Sequence, residues 1–323
     1  MILALLLCVA PSLQAQLPAP AQAPPPAQEQ AAAVNHVQRV DVLGASMSAG
    51  FGLMQEAGAA VTIADFLKLA LGDSCETMHA YGDTRFFQQP AGFGQKQVQK
   101  SLHSDPSLII AVDFPFWYGY GYLPDCESRL QQMDDCFKQL ERISCPILLG
   151  DFPDMSPALL GSSALRQGKP MLDPAQIPDA ECLGKLNEKL YAWAKTRSNV
   201  HIFPLSFFVA EVGKERTFEF RGIAFDREAK GLMLQSDLLH PTVKGTAAAT
   251  LFILHHLVEA GWLAADQIEW DAQALERALN KSTQAARDKA AERKRKRQER
   301  KLRREAEKAK EQEEDGQRTP VQH

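Results

Sequence analysis

Ser46 lies in Gly44-Ala45-Ser46-Met47-Ser48-Ala49-Gly50, a run of small residues in which a tight turn can expose a hydroxyl. A neutral serine is a weak nucleophile and needs a base beside it. Such a base is offered much later in the chain by Asp237-Leu238-Leu239-His240-Pro241-Thr242. Three-residue spacing lets Asp237 and His240 face the same side of one turn. The carboxylate can then hold one imidazole nitrogen while the other points to a hydroxyl, which fixes the tautomer and stabilises the imidazolium formed during attack. Read singly, the two segments are commonplace: a Ser/Gly turn, and an Asp/His pair capping a helix that Pro241 would open. Together they describe a Ser-His-Asp constellation.

The elements around these segments alternate between strand and helix. Residues 37–43, VQRVDVL, read as a strand that delivers Ser46 to its carboxyl end. Residues 62–71 read as a helix with Ile63, Phe66, Leu67 and Ala70 on one face, Thr62 at its start and Gly72 at its end. The run 107–112, SLIIAV, is apolar throughout, as in a strand buried on both faces. An amphipathic helix over 127–143 leads to a strand over 145–149, and a weaker strand lies near 78–81. A helix over 180–196, a strand over 200–204 and a long apolar helix over 241–260, closed by Gly261, complete the series. This order predicts an α/β domain, a mainly parallel sheet covered by helices on both faces. Ligands in such sheets bind beyond the carboxyl ends of the strands, where Ser46 falls.

From Val37 to Gly261 the chain resembles the SGNH, or GDSL, hydrolase family, which opens with a Gly-Asp-Ser-Leu-like block after its first strand and closes with Asp-x-x-His before its last helix. The resemblance implies a flavodoxin-like three-layer α/β/α sandwich and ester hydrolysis without a cofactor or metal. It assigns Ser46 as nucleophile, His240 as general base and Asp237 as the residue that orients His240. It also implies an oxyanion hole formed by the N–H groups of Ser46 and of Gly82, in Ala80-Tyr81-Gly82-Asp83. Ala45 stands where the family has Asp, a residue outside the catalytic three. The third block, normally Gly-x-Asn-Asp, is replaced by Val112-Asp113-Phe114-Pro115-Phe116-Trp117, which has no Asn. An oxyanion donor is worth about 3–4 kcal/mol of barrier. The protein therefore lacks that donor, uses another group, or is slow.

Asp113, Asp151 and Asp154 follow strands on the same edge as Ser46. Asp113 could orient a loop, bind substrate hydroxyls or ligate a metal; for Asp151 and Asp154 the ordinary role of ending a strand or starting a helix is favoured. Phe116 and Trp117, from the cluster Phe114, Phe116, Trp117, Tyr118, Tyr120 and Tyr122, are the aromatic candidates for a substrate pocket. His255 and His256 read as structural, and His36, His79 and His103 show no partner in sequence.

Composition bounds the rest. The 323 residues are 45% hydrophobic and 24% charged, enough for one sizeable core, and the net charge of -4 argues against whole-protein attraction to nucleic acid. Residues 2–10 form a short apolar run before Pro11 and Ser12, which predicts a signal peptide over 1–15 and a secreted or periplasmic protein. The run falls short of the roughly 20 residues that a membrane span needs. A Pro/Ala/Gln-rich linker follows over 16–35, then the hydrolase-like domain over 36–265, then a charged, helical or disordered tail over 266–323. Of the cysteines beyond the signal, an odd count leaves at least one free in an oxidising compartment. Cys126 and Cys136 cannot pair on one helix, since ten residues span about 15 Å.

Residues 281–310 carry 14 Lys/Arg against 5 Asp/Glu, a charge of +9 on a chain that is otherwise -13. This stretch reads first as a solvated helix and second as a tether to an anionic surface polymer. It has no aromatic residue to stack on bases, so no specific nucleic acid is expected.

Three functions follow from these residues. The leading one is an exported serine esterase acting on small esters, acetyl or other short acyl groups, with a carbohydrate as one candidate alcohol. The second is a glycan- or polymer-binding module that keeps the fold without turnover. The third is a metal-dependent phosphoesterase built from Asp113, Asp151 and His240.

Overall fold

The computed structural model describes residues 36–317 apart from 215 and 222. The expected signal peptide, the linker and residues 318–323 of the tail lie outside the described residues. In chain order the elements are β1 (Arg39–Val42), α1 (Leu53–Ala57), α2 (Ile63–Leu71), β2 (Thr77–Ala80), α3 (Pro90–Ser104), β3 (Leu108–Ala111), α4 (Phe116–Gly119) and α5 (Cys126–Leu140). They continue with β4 (Ile147–Gly150), α6 (Ala180–Lys195), β5 (Val200–Phe203), α7 (Leu205–Gly213), β6 (Phe218–Phe220), β7 (Ile223–Phe225), α8 (Arg227–Gly231), α9 (Val243–Glu259) and α10 (Ala272–Gln317).

β1 to β5 form one parallel sheet in the order β2-β1-β3-β4-β5, the flavodoxin-like order. Side chains alternate across it, as a period of two requires. Val40, Val42, Leu108, Ile110 and Leu148 join one core layer with Phe66 and Leu67 of α2 and Leu251 and Leu254 of α9. Ile109, Ala111, Ile147 and Leu149 point the other way, against Val98 of α3, Met133 and Phe137 of α5, and Leu186 of α6. The central strands are thus buried on both faces. This is the three-layer α/β/α sandwich.

Several features differ from the sequence expectations, among them the additional helices α1, α4 and α7. α3 was not anticipated, because its polar residues and two glycines leave no apolar stripe. The antiparallel pair β6–β7 and the short helix α8 precede the Asp237 segment. The last long helix starts at Val243 rather than at Pro241: Pro241 is bridged to Leu234, and Thr242 caps the helix by accepting from the Gly245 N–H at 3.1 Å. Finally, the charged tail does not begin at the edge of the core, since Leu275 and Leu279 of α10 are buried in it.

A disulfide joins Cys126, at the start of α5, to Cys182 in α6, with Cα atoms 5.5 Å apart. Cys75, Cys136 and Cys145 are free thiols. No helix among the described residues is long and apolar enough to cross a membrane.

Candidate active site

Beyond β1 the chain turns sharply at Gly44, whose φ is 150°. A Cβ there would lie 1.9 Å from Asp113 Oδ1 and 2.4 Å from Ser48 Oγ, so only glycine fits. Buried Gln97 clamps the same residue from α3, accepting from Gly44 N at 2.8 Å and donating to Gly44 O at 2.8 Å. Asp113, after β3, supports the loop from below. It accepts from Met47 N at 2.9 Å, Ser48 N at 3.1 Å and Ser48 Oγ at 2.5 Å. Burial pushes its carboxyl up, against the pull of the hydrogen bonds from Ser48 and from the Ala45 and Met47 N–H groups. Ser46 is left half-buried at the top of this turn.

The Asp237 segment meets it from the opposite side. His240 Nε2 lies 2.9 Å from Ser46 Oγ, and His240 Nδ1 lies 2.8 Å from Asp237 Oδ2. Asp237 Oδ1 accepts from the N–H groups of Leu239 and His240, each at 3.0 Å. Leu238 is held at φ 53° to make this turn, a conformation unfavourable for its branched side chain. Burial would raise the Asp237 carboxyl, but the hydrogen bonds and charge of His240 and the two N–H groups outweigh it and hold it below the usual carboxylate range. Asp237 and His240 are both buried, and the Phe51 ring packs on the imidazole with centroids 4.2 Å apart. Gln235 ties the two segments together, donating from Nε2 to Phe51 O and to Pro241 O, both at 2.8 Å.

Gly82 packs directly on the Ser46 loop, where a Cβ would meet Ala49 N at 2.8 Å and Ser48 C at 2.9 Å. Among the described residues the N–H groups of Ser46 and Gly82 have no hydrogen-bond partner. These are the two donors that the sequence resemblance assigns to an oxyanion.

Two cavities open at Ser46 and His240. The larger, about 540 Å³, is bounded by Phe51, Phe87, Trp117, Tyr122, Arg166 and Asp173, among others. Its wall is braced by an ion pair from Arg166 to Asp173 at 3.2 Å and by a hydrogen bond from the Tyr122 hydroxyl to Asp173. The smaller, about 60 Å³, is walled mainly by apolar side chains: Met47, Phe116, Met155, Leu205, Val209 and Leu239.

The sequence candidates divide accordingly. Ser46, Asp237 and His240 come together in one hydrogen-bonded chain. Trp117 lines the large cavity and Phe116 the small one. Asp113 borders the small cavity, and both its oxygens accept from the Ser46 loop, a positioning role. Asp151 accepts from Ser206 N and Oγ, each at 2.6 Å, and Asp154 from Ser156 N at 2.8 Å, both structural. Phe114, Tyr118 and Tyr120 are core residues. His79, read as partnerless, pairs through Nδ1 with buried Asp41 at 2.9 Å. Gln97, Gln235 and Arg166 were missed, because their roles depend on residues distant in sequence. Among the described residues no three His, Cys, Asp or Glu side chains are grouped to hold a metal ion.

The sheet order and the Ser-His-Asp chain at its carboxyl edge define a flavodoxin-like α/β protein with the side-chain arrangement that nucleophilic acyl transfer uses. No family model matches this sequence, and no curated protein does. Similar solved structures include a lipase/acylhydrolase from Enterococcus faecalis, at 14% identity and TM-score 0.44 over 72% of this chain and 98% of that one. Another is a gut microbial diltiazem-metabolizing enzyme, at 11% identity and TM-score 0.45 over 70% of this chain and 48% of that one. This chain therefore spans about half the length of the second. The chemistry rests on the side chains just described.

Proposed function

We propose that this protein is an exported serine esterase that removes short acyl groups from a polar alcohol. The observation that carries it is the hydrogen-bonded chain Ser46 Oγ–His240 Nε2 and His240 Nδ1–Asp237 Oδ2. Ser46 Oγ attacks the ester carbonyl while His240 Nε2 takes its proton. The developing oxyanion is received by the N–H groups of Ser46 and Gly82. The C–O bond of the ester then breaks, and His240 returns the proton to the departing alcohol. Water attacks the acyl-enzyme by the same route, releasing the acid and restoring Ser46. Every proton is carried by His240, so the steps need no cofactor.

The 60 Å³ apolar pocket beside Ser46 supports a short acyl group, since it amounts to roughly two water volumes. The larger cavity, with Trp117, Phe87 and Tyr122 beside Arg166, Asp173 and Gln176, supports a carbohydrate-like alcohol that offers both C–H faces and hydroxyls. The Cys126–Cys182 disulfide supports export to an oxidising compartment, secreted or periplasmic. The basic face of α10 supports a tether to an anionic surface polymer.

The missing third-block Asn favours one rival, a binding module of the same fold without turnover. A serine-directed fluorophosphonate separates the two. The esterase reading predicts a single adduct on Ser46, lost in His240→Ala. A folded protein that stays unlabelled would leave the binding module.

A further inference from the structure

A second, separate concavity of about 760 Å³ lies between the edge strand β2 and α3. Behind two of its lining residues, His79 and Ser104, lies a buried carboxyl group that the Ser46 chemistry does not use. Asp41 of β1 is 1% exposed, and its Oδ1 holds His79 Nδ1 at 2.9 Å. Its other oxygen accepts from Ser101 Oγ at 2.6 Å and from Ser104 Oγ at 2.5 Å. With Nδ1 engaged, Nε2 is the remaining polar atom of a His79 side chain that is 44% exposed in the groove.

The walls are cationic. Lys96 and Lys100 stand one turn apart on α3, with Arg85 at the far end. Among the described residues Arg85 is the one of the three that forms an ion pair with a carboxylate, Asp83 at 2.9 Å, and Lys100 lies within the field of the same carboxylate. The aromatic rings are already covered by these cations: Arg85 and Lys96 lie 5.5 and 5.6 Å from the Phe93 centroid, and Lys100 lies 5.6 Å from that of Tyr81. The groove therefore presents fixed positive charge rather than open stacking faces, which suits repeated oxyanions better than nucleobases. It also adjoins the Ser46 cavity. Within one loop, Asp83 and Arg85 line the groove while Thr84, Phe87 and Gln88 line the cavity.

We propose that this groove is a subsite for an acidic glycan, a carboxylate-bearing polysaccharide strand whose acylated residue reaches Ser46. The link to Ser46 rests on the esterase reading; the binding does not. The test uses the full chain carrying Ser46→Ala, so that nothing is turned over, and Lys294→Glu, Arg297→Glu, Lys301→Glu and Arg304→Glu, so that the exposed basic face of α10 no longer attracts polyanions; it is titrated with polygalacturonate, with neutral dextran and with single-stranded DNA. Polygalacturonate is expected to bind, more weakly as salt rises, and dextran is not. Adding Lys96→Glu and Lys100→Glu is expected to weaken polygalacturonate binding at least tenfold. In the Ser46 parent the same two substitutions should leave p-nitrophenyl acetate hydrolysis unchanged, which reports an intact fold. Undiminished polygalacturonate binding in the double charge reversal, or tighter binding to DNA than to the glycan, would overturn the proposal. Groove binding by a protein that hydrolyses no ester would instead remove only the esterase reading.

Discussion

At the scale of single residues, the placement of Ser46 depends on side chains that hold its loop and the His240 segment. Asp113 is the clearest. It is a buried acceptor for three donors of the Ser46 loop, and Asp113→Ala would leave the Met47 and Ser48 N–H groups unpaired, while the Ser48 hydroxyl can still donate to Leu43 O at 3.2 Å. Each such orphan costs about 1–3 kcal/mol, so urea denaturation should show a loss of at least about 2 kcal/mol. Asp113→Asn keeps one acceptor oxygen and should lose less. Gln235 acts differently, because its amide joins Phe51 O to Pro241 O and so fixes the distance between nucleophile and base. Gln235→Ala should lower kcat about fivefold with KM little changed, as expected when roughly 1 kcal/mol of positioning is lost. A proportional rise in KM with kcat unchanged would place Gln235 in substrate binding instead.

At the scale of elements, the disulfide and the strand–loop junctions decide how firmly the site is held. Cys126–Cys182 closes a loop with a sequence separation of 56, and that loop contains Arg166 and Asp173 of the cavity wall. Replacing both cysteines with alanine should cost about 2–4 kcal/mol in urea denaturation, and adding a reductant to the parent should reproduce the effect. The elements that were legible in sequence are those whose pattern is local. β3 and β4 are short runs of branched apolar residues, β1 alternates valine with charged residues, and α2, α5 and α6 carry a clear helical stripe. α3 was not legible because its packing depends on what it meets: a Cβ on Gly94 would lie 2.2 Å from the Tyr118 hydroxyl. The serine and the Asp-x-x-His spacing were readable because their chemistry requires those residue types. The roles of Asp113, Gln97 and Gln235 were not, since each bonds to backbone brought near only by folding.

At the scale of the whole molecule, charge and protonation set the conditions under which the fold persists. His256 of α9 packs against Phe203, Phe252 and His255, and burial lowers its pKa from 6.5 to about 4. The folded state thus holds it neutral where an unfolded chain would already take up a proton. Its contribution is complete above about pH 6.5 and is lost as pH falls toward 4. Asp237, with its lowered carboxyl, acts in the same direction at still lower pH. Denaturation midpoints should therefore fall steadily across this acid range, and His256→Leu should flatten that slope. An unchanged slope would show that other groups govern acid stability.

The central claim is that Ser46 is an activated nucleophile. Its most direct test is hydrolysis of p-nitrophenyl acetate by the purified protein beside Ser46→Ala. The account predicts turnover by the parent and a fall of about 10⁴-fold or more in the variant, with the fold unchanged. Equal rates in the two folded proteins, whether both measurable or both nil, would contradict it.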